Sequence, residues 1–177
     1  MSERKTEELP VIGPSVLVSI GERADIPAKI DTGAEASAIW ASDINIDENG
    51  ILRFTLFGEN SPFYDGEVIE TKEYKVVVTR SAMGQEQIRY RVYMPIKING
   101  RKIRVLFSLA DRSKNSFPIL IGRRTLKGKF VVDVSLPDIE YERKPKEMEV
   151  KLRDFRKDPY EFHKKYVAGK KLTQKGE

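Results

Sequence analysis

Asp31-Thr32-Gly33-Ala34 is the segment of this chain best suited to chemistry. It follows a short apolar-alternating run, Ile26 to Ile30, and precedes Glu35-Ala36-Ser37-Ala38-Ile39. The arrangement predicts a carboxylate at the tip of a strand, in a turn of small residues. Two adjacent carboxylates sharing one proton can activate water and protonate a leaving amide, because like charges so close cannot both ionise. Such a pair titrates as a unit. No second Asp-Thr/Ser-Gly occurs in the sequence, so a partner carboxylate is expected from another copy of the chain. Gly33 lacks a Cβ where chain or substrate approaches closely. Thr32 offers a hydroxyl, Ala34 keeps the floor small, and Ser37 can hydrogen-bond back to the loop. The tripeptide alone also reads as an ordinary Asx turn.

The elements that must position Asp31 are mostly strands. Val16–Ile20 and Ile26–Asp31 read as strands joined through Gly21, and Ser37–Trp40 as a third. Ile51–Phe57 follows the turn signal Asp47-Glu48-Asn49-Gly50, and 58–71 reads as a loop. Tyr74–Arg80 and Gln87–Tyr93 read as a hairpin around 81–85, with Ile88, Tyr90, Val92 and Met94 on one covered face. Ile96–Ile98 and Lys102–Val105 form a second hairpin through Asn99-Gly100, a type I′ signal. Phe117–Gly122 is an apolar strand ending in Gly. Arg123–Leu126 reads as a helical turn and Phe130–Val134 as a closing strand. Beyond Pro137, Asp158-Pro159 signals a helix start and Gly169 a stop.

Composition narrows the classes. The 177 residues allow one domain with a real core and an appendage. There is no Cys, which excludes disulfides and thiolate chemistry. The polar N-terminal residues do not resemble a signal peptide, and no apolar run reaches the length of a membrane span. A cytoplasmic protein with no membrane contact is expected. The net charge is +5, of which +3 lies in residues 136–177. That tail reads as a solvated mixed-charge extension. Its Phe155, Tyr160, Phe162 and Tyr166, interleaved with Lys and Arg, keep ribosome or RNA association open as a weaker alternative.

Taken together, Lys29-Ile-Asp-Thr-Gly-Ala-Glu-Ala-Ser-Ala-Ile39, the hairpin around Met83-Gly84, and Phe117-Pro-Ile-Leu-Ile-Gly-Arg-Arg-Thr-Leu-Lys-Gly-Lys-Phe-Val-Val-Asp133 resemble the retropepsin family of aspartic proteases over about residues 15–135. The match is to its cellular branch, often labelled "ATP-dependent zinc protease". That branch includes the peptidase partner of the ligase that adds glutamates to a ribosomal protein. The resemblance implies an all-β fold, one half of an acid-protease closed barrel, with an N-terminal arm (1–14), the barrel (15–136) and a charged, partly helical extension (137–177). It implies a homodimer acting on a peptide or protein substrate, acidic or glutamate-rich in one branch. Asp31 would be the catalytic carboxylate, Thr32 would lock to its mate across the dimer axis, and Gly33 would receive substrate backbone. Ala34, Met83, Gly84 and Ile121 would line the substrate, with residues 74–92 as a flap tipped near Ser81–Gln85. Gly122 would pack beneath the Asp31 loop, and Glu35 with Arg123 would form a structural acid–arginine pair. Trp40 is expected in the core.

The sequence departs from the label and from the viral pattern. It has one His, His163, no Cys and no His-Glu-x-x-His, so it lacks a zinc ligand set. It has no phosphate-binding Gly-x-x-x-x-Gly-Lys loop either. No cofactor is expected. The flap tip carries one Gly rather than a Gly-rich run. A non-catalytic barrel that binds an extended peptide by strand addition remains the alternative to a peptidase.

Overall fold

The computed structural model describes residues 8–80, 86–140, 153 and 156–166. Its ordering principle is a ring of six strands: β2 (Ser15–Ile20), β3 (Arg23–Asp31), β4 (Ser37–Ile46), β8 (Glu86–Ile98), β9 (Arg101–Ala110) and β10 (Ile119–Gly122). They pair in the order β10-β3-β2-β8-β9-β4, and β4 pairs back to β10, so the sheet closes into an all-β barrel. The remaining strands are outgrowths. β5 (Leu52–Leu56) and β6 (Val68–Thr71) continue from the second half of β4, and β7 (Tyr74–Arg80) pairs with β8. A small parallel sheet joins β1 (Val11–Ile12) to β11 (Val131–Val132). Contacts divide the chain into two compact units, Met1–Tyr141 and Glu142–Glu177.

Alternation along the strands explains the closure. On β8, Val92, Met94, Ile96 and Ile98 are buried between exposed Tyr93, Pro95 and Lys97. Ile26, Ile39, Phe54, Phe107, Ile119 and Ile121 are fully buried. Each such side chain contributes about 1.5–3 kcal/mol on leaving water.

The turn chemistry reads through directly. Asn99 and Gly100 have φ of 46° and 77°, as a type I′ turn requires. Asp47 Oδ1 accepts the N–H groups of Asn49 and Ile51 at 2.9 and 3.0 Å, which closes the turn into β5. Arg23, at the start of β3, reaches Asp65 at 2.6 Å and Glu67 at 2.8 Å and holds the 58–67 loop.

Several elements run further than local pattern suggests. The third strand extends from Trp40 to Ile46, because β5 offers it a second partner. The two hairpins expected at 87–93 and 96–98 share one continuous strand, β8. Pro95 does not break it, because it pairs only with β9, between the end of β7 and the start of β2 pairing. The closing strand shortens to Val131–Val132, while Phe130 joins the core. The hairpin also loses its cover toward the tip. Tyr74 and Tyr90 meet edge-on at 6.0 Å beside the core, but Val76, Val78 and Ile88 are exposed. The β7–β8 hairpin therefore projects from the barrel.

In the second unit, α2 (Pro159–Tyr166) starts as expected, with Asp158 Oδ1 accepting the N–H groups of Tyr160 and Glu161 at 3.1 and 3.0 Å. The expected stop at Gly169 lies outside the described residues.

Candidate active site

Asp31 is the last residue of β3, and the register sets Gly122, the last residue of β10, directly beside it. β10 lies between β3, which it joins in parallel, and β4, which it joins antiparallel. Residues 32–36 must therefore cross over the end of β10 to connect β3 to β4. That crossing is tight. A Cβ on Gly122 would stand 2.5 Å from Ala36 O, 2.6 Å from Ala36 C and 3.0 Å from Ala34 O. Only glycine fits.

The chain after Gly122 turns into a four-residue helix, α1 (Arg123–Leu126), whose first N–H groups lack intrahelical partners. The crossing loop supplies them. Arg123 N–H donates to Ala34 O at 2.8 Å and Arg124 N–H to Glu35 O at 3.2 Å. Ser37, fully buried, accepts the Gly122 N–H at 3.0 Å and shares a 2.7 Å hydrogen bond with Thr125. Loop, strand end and helix are thus one hydrogen-bonded block.

Within the block, Asp31 Oδ1 accepts the N–H groups of Gly33 and Ala34, both at 3.0 Å. This is the Asx turn, and it also orients the carboxylate. Among the described residues Oδ2 accepts no hydrogen bond. Asp31 is half-buried, Thr32 and Gly33 are exposed, and Ala34 is half-buried. Thr32 borders a groove of about 690 Å³ floored by Leu126, Phe130 and Val132 and rimmed by Glu35, Arg124 and Lys127.

Three expectations change. Ile121 cannot line a substrate cleft, because it points into the barrel and is fully buried. Glu35 pairs with Arg124 at 2.6 Å rather than with Arg123. The cause is the backbone bond from Arg124 N–H to Glu35 O, which brings these two residues together. Ser37 hydrogen-bonds to Gly122 and Thr125 instead of the Asp31 turn, because β10 intervenes. Met83 and Gly84, the expected flap tip, lie outside the described residues. Trp40 is partly buried against the core, and Gly58 seats its indole.

Two residues went unnoticed in the sequence. Arg112, in the link between β9 and β10, is half-buried, and its Nε donates to Phe117 O at 3.1 Å. Burial pushes its guanidinium below the ordinary value. Arg89 on β8 adds to that, and Asp31 opposes it, so Arg112 lies within electrostatic reach of both. The only sequence signal was that Arg112 belongs to the loop feeding the strand that ends at Gly122.

The residues do not fit the zinc of the branch label. Among the described residues no group of three or more His, Cys, Asp or Glu side chains is arranged to hold a metal ion. No helix among them is long and apolar enough to cross a membrane.

Comparison with known proteins agrees with this architecture. A crystal structure of a Legionella pneumophila protein of unknown function superposes with a TM-score of 0.57 at 25% identity, covering 72% of this chain and 95% of that one. A probable alpha-L-glutamate ligase from Desulfotalea psychrophila is 22% identical over 114 residues, 63% of this chain. The chain spans about a quarter of that relative's length (25%). Residues 11–143 match the family described as retropepsin-like aspartic endopeptidase RimB. With Asp31, its crossing loop and the strand end at Gly122 inside that matched span, the chain belongs to the RimB-like family of retropepsin-like aspartic endopeptidases.

Proposed function

We propose that the protein is a homodimeric aspartic peptidase in which two Asp31 carboxylates, one from each copy, activate a water molecule. The observation that carries this reading is the Asp31 carboxylate itself. One oxygen is held by two backbone N–H groups, the other is free of hydrogen bonds among the described residues, and the chain provides no second carboxylate in the same turn. In the reaction, one Asp31 takes a proton from water as the water oxygen attacks the scissile carbonyl carbon. The other, protonated, supplies the proton that the leaving nitrogen gains as the C–N bond breaks. The products are a carboxylic acid and an amine.

A second copy has a surface to meet. The Thr32 hydroxyl borders a groove lined by Leu126, Phe130 and Val132 next to the Asp31 loop and α1, and Val11 and Val131 are exposed on the small parallel sheet. The projecting β7–β8 hairpin serves as the flap over bound peptide.

The substrate is a peptide rich in glutamate. Two guanidinium groups, Arg89 and Arg112, lie within electrostatic reach of Asp31 or of each other. The similarity to a quarter of a probable alpha-L-glutamate ligase supports the same chemistry, since a bond made by glutamate ligation is one a peptidase can hydrolyse. The test is hydrolysis of glutamate-rich peptides by wild type and Asp31→Asn. The variant keeps its fold and loses turnover by several orders of magnitude. Turnover retained by a folded Asp31→Asn protein refutes the mechanism.

A further inference from the structure

The face of β7, β8 and β9 that looks away from the core carries a charge pattern the chemistry at Asp31 does not use. The strand positions on that face hold six cations, Lys75, Arg89, Arg91, Lys97, Lys102 and Arg104, and no carboxylate. The register sets Lys75 directly opposite Arg91, and Lys97 directly opposite Lys102. Like charges facing each other across a ladder destabilise it, and a Thr at any of these positions would suit the strand better. Among the described residues only Arg104 of the six has a carboxylate within 4 Å, Glu73 at 3.8 Å, and both side chains of that pair are exposed. Arg91 and Arg89 bond to neutral groups, the Ser108 hydroxyl at 3.0 Å and Gln87 Oε1 at 3.2 Å.

The imbalance is local. Residues 1–135 carry 20 Lys/Arg and 18 Asp/Glu, and with these six set apart 14 cations stand against 18 anions, a net of −4. The positive excess before the C-terminal extension therefore sits on this one face. Among the cations is an aromatic ring. Tyr93 is 45% exposed, with the Arg104 guanidinium 4.5 Å from its centroid and the Lys75 ammonium at 5.9 Å. Along β8 alone the row from Arg89 to Lys97 spans about 27 Å. A row of cations beside an exposed ring matches a chain of phosphates whose bases are free to stack. An acidic peptide would match the charges and leave the ring without a partner. A duplex keeps its bases stacked on one another.

We propose that the outer face of β7, β8 and β9 binds a single-stranded nucleic acid. The six cations take phosphates, and Tyr93 with the guanidinium of Arg104 stacks a base. This role does not depend on Asp31 being catalytic.

The experiment titrates a fluorescein-labelled twelve-nucleotide oligouridine with the full-length protein and reads anisotropy across a range of salt concentrations. A single strand gives a slope of about 0.7 in log Kd against log salt for each phosphate neutralised, so six contacts give about 4. Lys102→Gln lowers the slope by about 0.7 and weakens binding. Tyr93→Ser weakens binding by about tenfold with the slope kept, because stacking is not electrostatic. Lys114→Gln removes an exposed cation from the link between β9 and β10, and leaves both affinity and slope as in wild type. Lys102→Glu separates binding from folding. It sets a carboxylate opposite Lys97, so the protein melts no lower than wild type while affinity falls by about tenfold or more. Four results overturn the proposal. They are no binding at about 50 mM salt, binding that the sheet-face variants leave intact and that therefore belongs to residues 137–177, tighter binding of a duplex of the same length, and dodecaglutamate competing as well as unlabelled oligouridine.

Discussion

Replacing Gly122 with alanine tests the crossing of the Asp31 loop over β10 without assuming any activity. The new Cβ would stand 2.5 Å from Ala36 O and 2.6 Å from Ala36 C, whereas ordinary contact begins near 3.4 Å. The neighbours are backbone, so no side chain can swing aside, and about 0.9 Å must be found by moving the 34–36 segment or β10. Either motion stretches the bonds from Arg123 N–H to Ala34 O and from Arg124 N–H to Glu35 O, already 2.8 and 3.2 Å. Overpacking of this kind costs about 1–3 kcal/mol. At about 2–4 °C per kcal/mol for a chain of this size, the melting temperature falls by roughly 2–12 °C. The same shift moves Ala34 N–H, which holds Asp31 Oδ1 at 3.0 Å. At the proposed catalytic carboxylate, a displacement near 1 Å costs about 10²-fold in rate. The control is Gly33→Ala, whose Cβ would meet only the Asp31 side chain, at 3.3 Å, and which destabilises less. Thermal unfolding followed by circular dichroism, with hydrolysis measured in parallel, reads both effects. A Gly122→Ala protein that melts within about 1 °C of wild type refutes the tight crossing.

Other perturbations probe the same block and its surroundings. Ser37→Ala removes the acceptor of the Gly122 N–H and the partner of the Thr125 hydroxyl, leaving two buried groups unpaired. Urea unfolding should show a loss of about 1–3 kcal/mol, and no change would mean those groups find other partners. For the proposed dimer, sedimentation of wild type and Asp31→Asn should give the same dimeric mass, and an active monomer contradicts a shared carboxylate pair. The acid limb of stability is set partly by Asp65, which the Arg23 hydrogen bond and the Glu67 N–H hold below the ordinary carboxylate value of 3.8. A carboxyl lowered on folding stabilises above its unfolded value, and that contribution fades as pH falls from 3.8 through the lower folded value. Denaturation across that range should show the gap between wild type and Arg23→Met closing as the pH drops, and a constant gap would contradict the coupling.

Local chemistry alone accounts for much of this protein. Asp31 accepts the N–H groups two and three residues ahead because an Asp-x-Gly sequence offers them at that spacing, in any fold. Asn99-Gly100 reverses the chain because both residues tolerate positive φ. Val92, Met94, Ile96 and Ile98 face inward because a strand alternates. These features depend on neighbours a few residues away, so they are written in the sequence.

What only the tertiary structure decided depends on residues far apart in the chain. β10 enters between β3 and β4 although it lies far beyond both in sequence, and that insertion explains why Gly122 admits no side chain and why Ser37 serves the strand end instead of the Asp31 turn. Glu35 selects Arg124 over Arg123 through a backbone bond that no local pattern announces. Arg89 and Arg112 are unremarkable in sequence, one in an alternating strand and one in a polar link. Closure of the barrel brings Arg112 within electrostatic reach of Arg89 and of Asp31. Residue type and spacing determined the turn and the carboxylate in it. The long-range pairing of strands determined what surrounds that carboxylate, because only closure of the barrel brings such distant residues together.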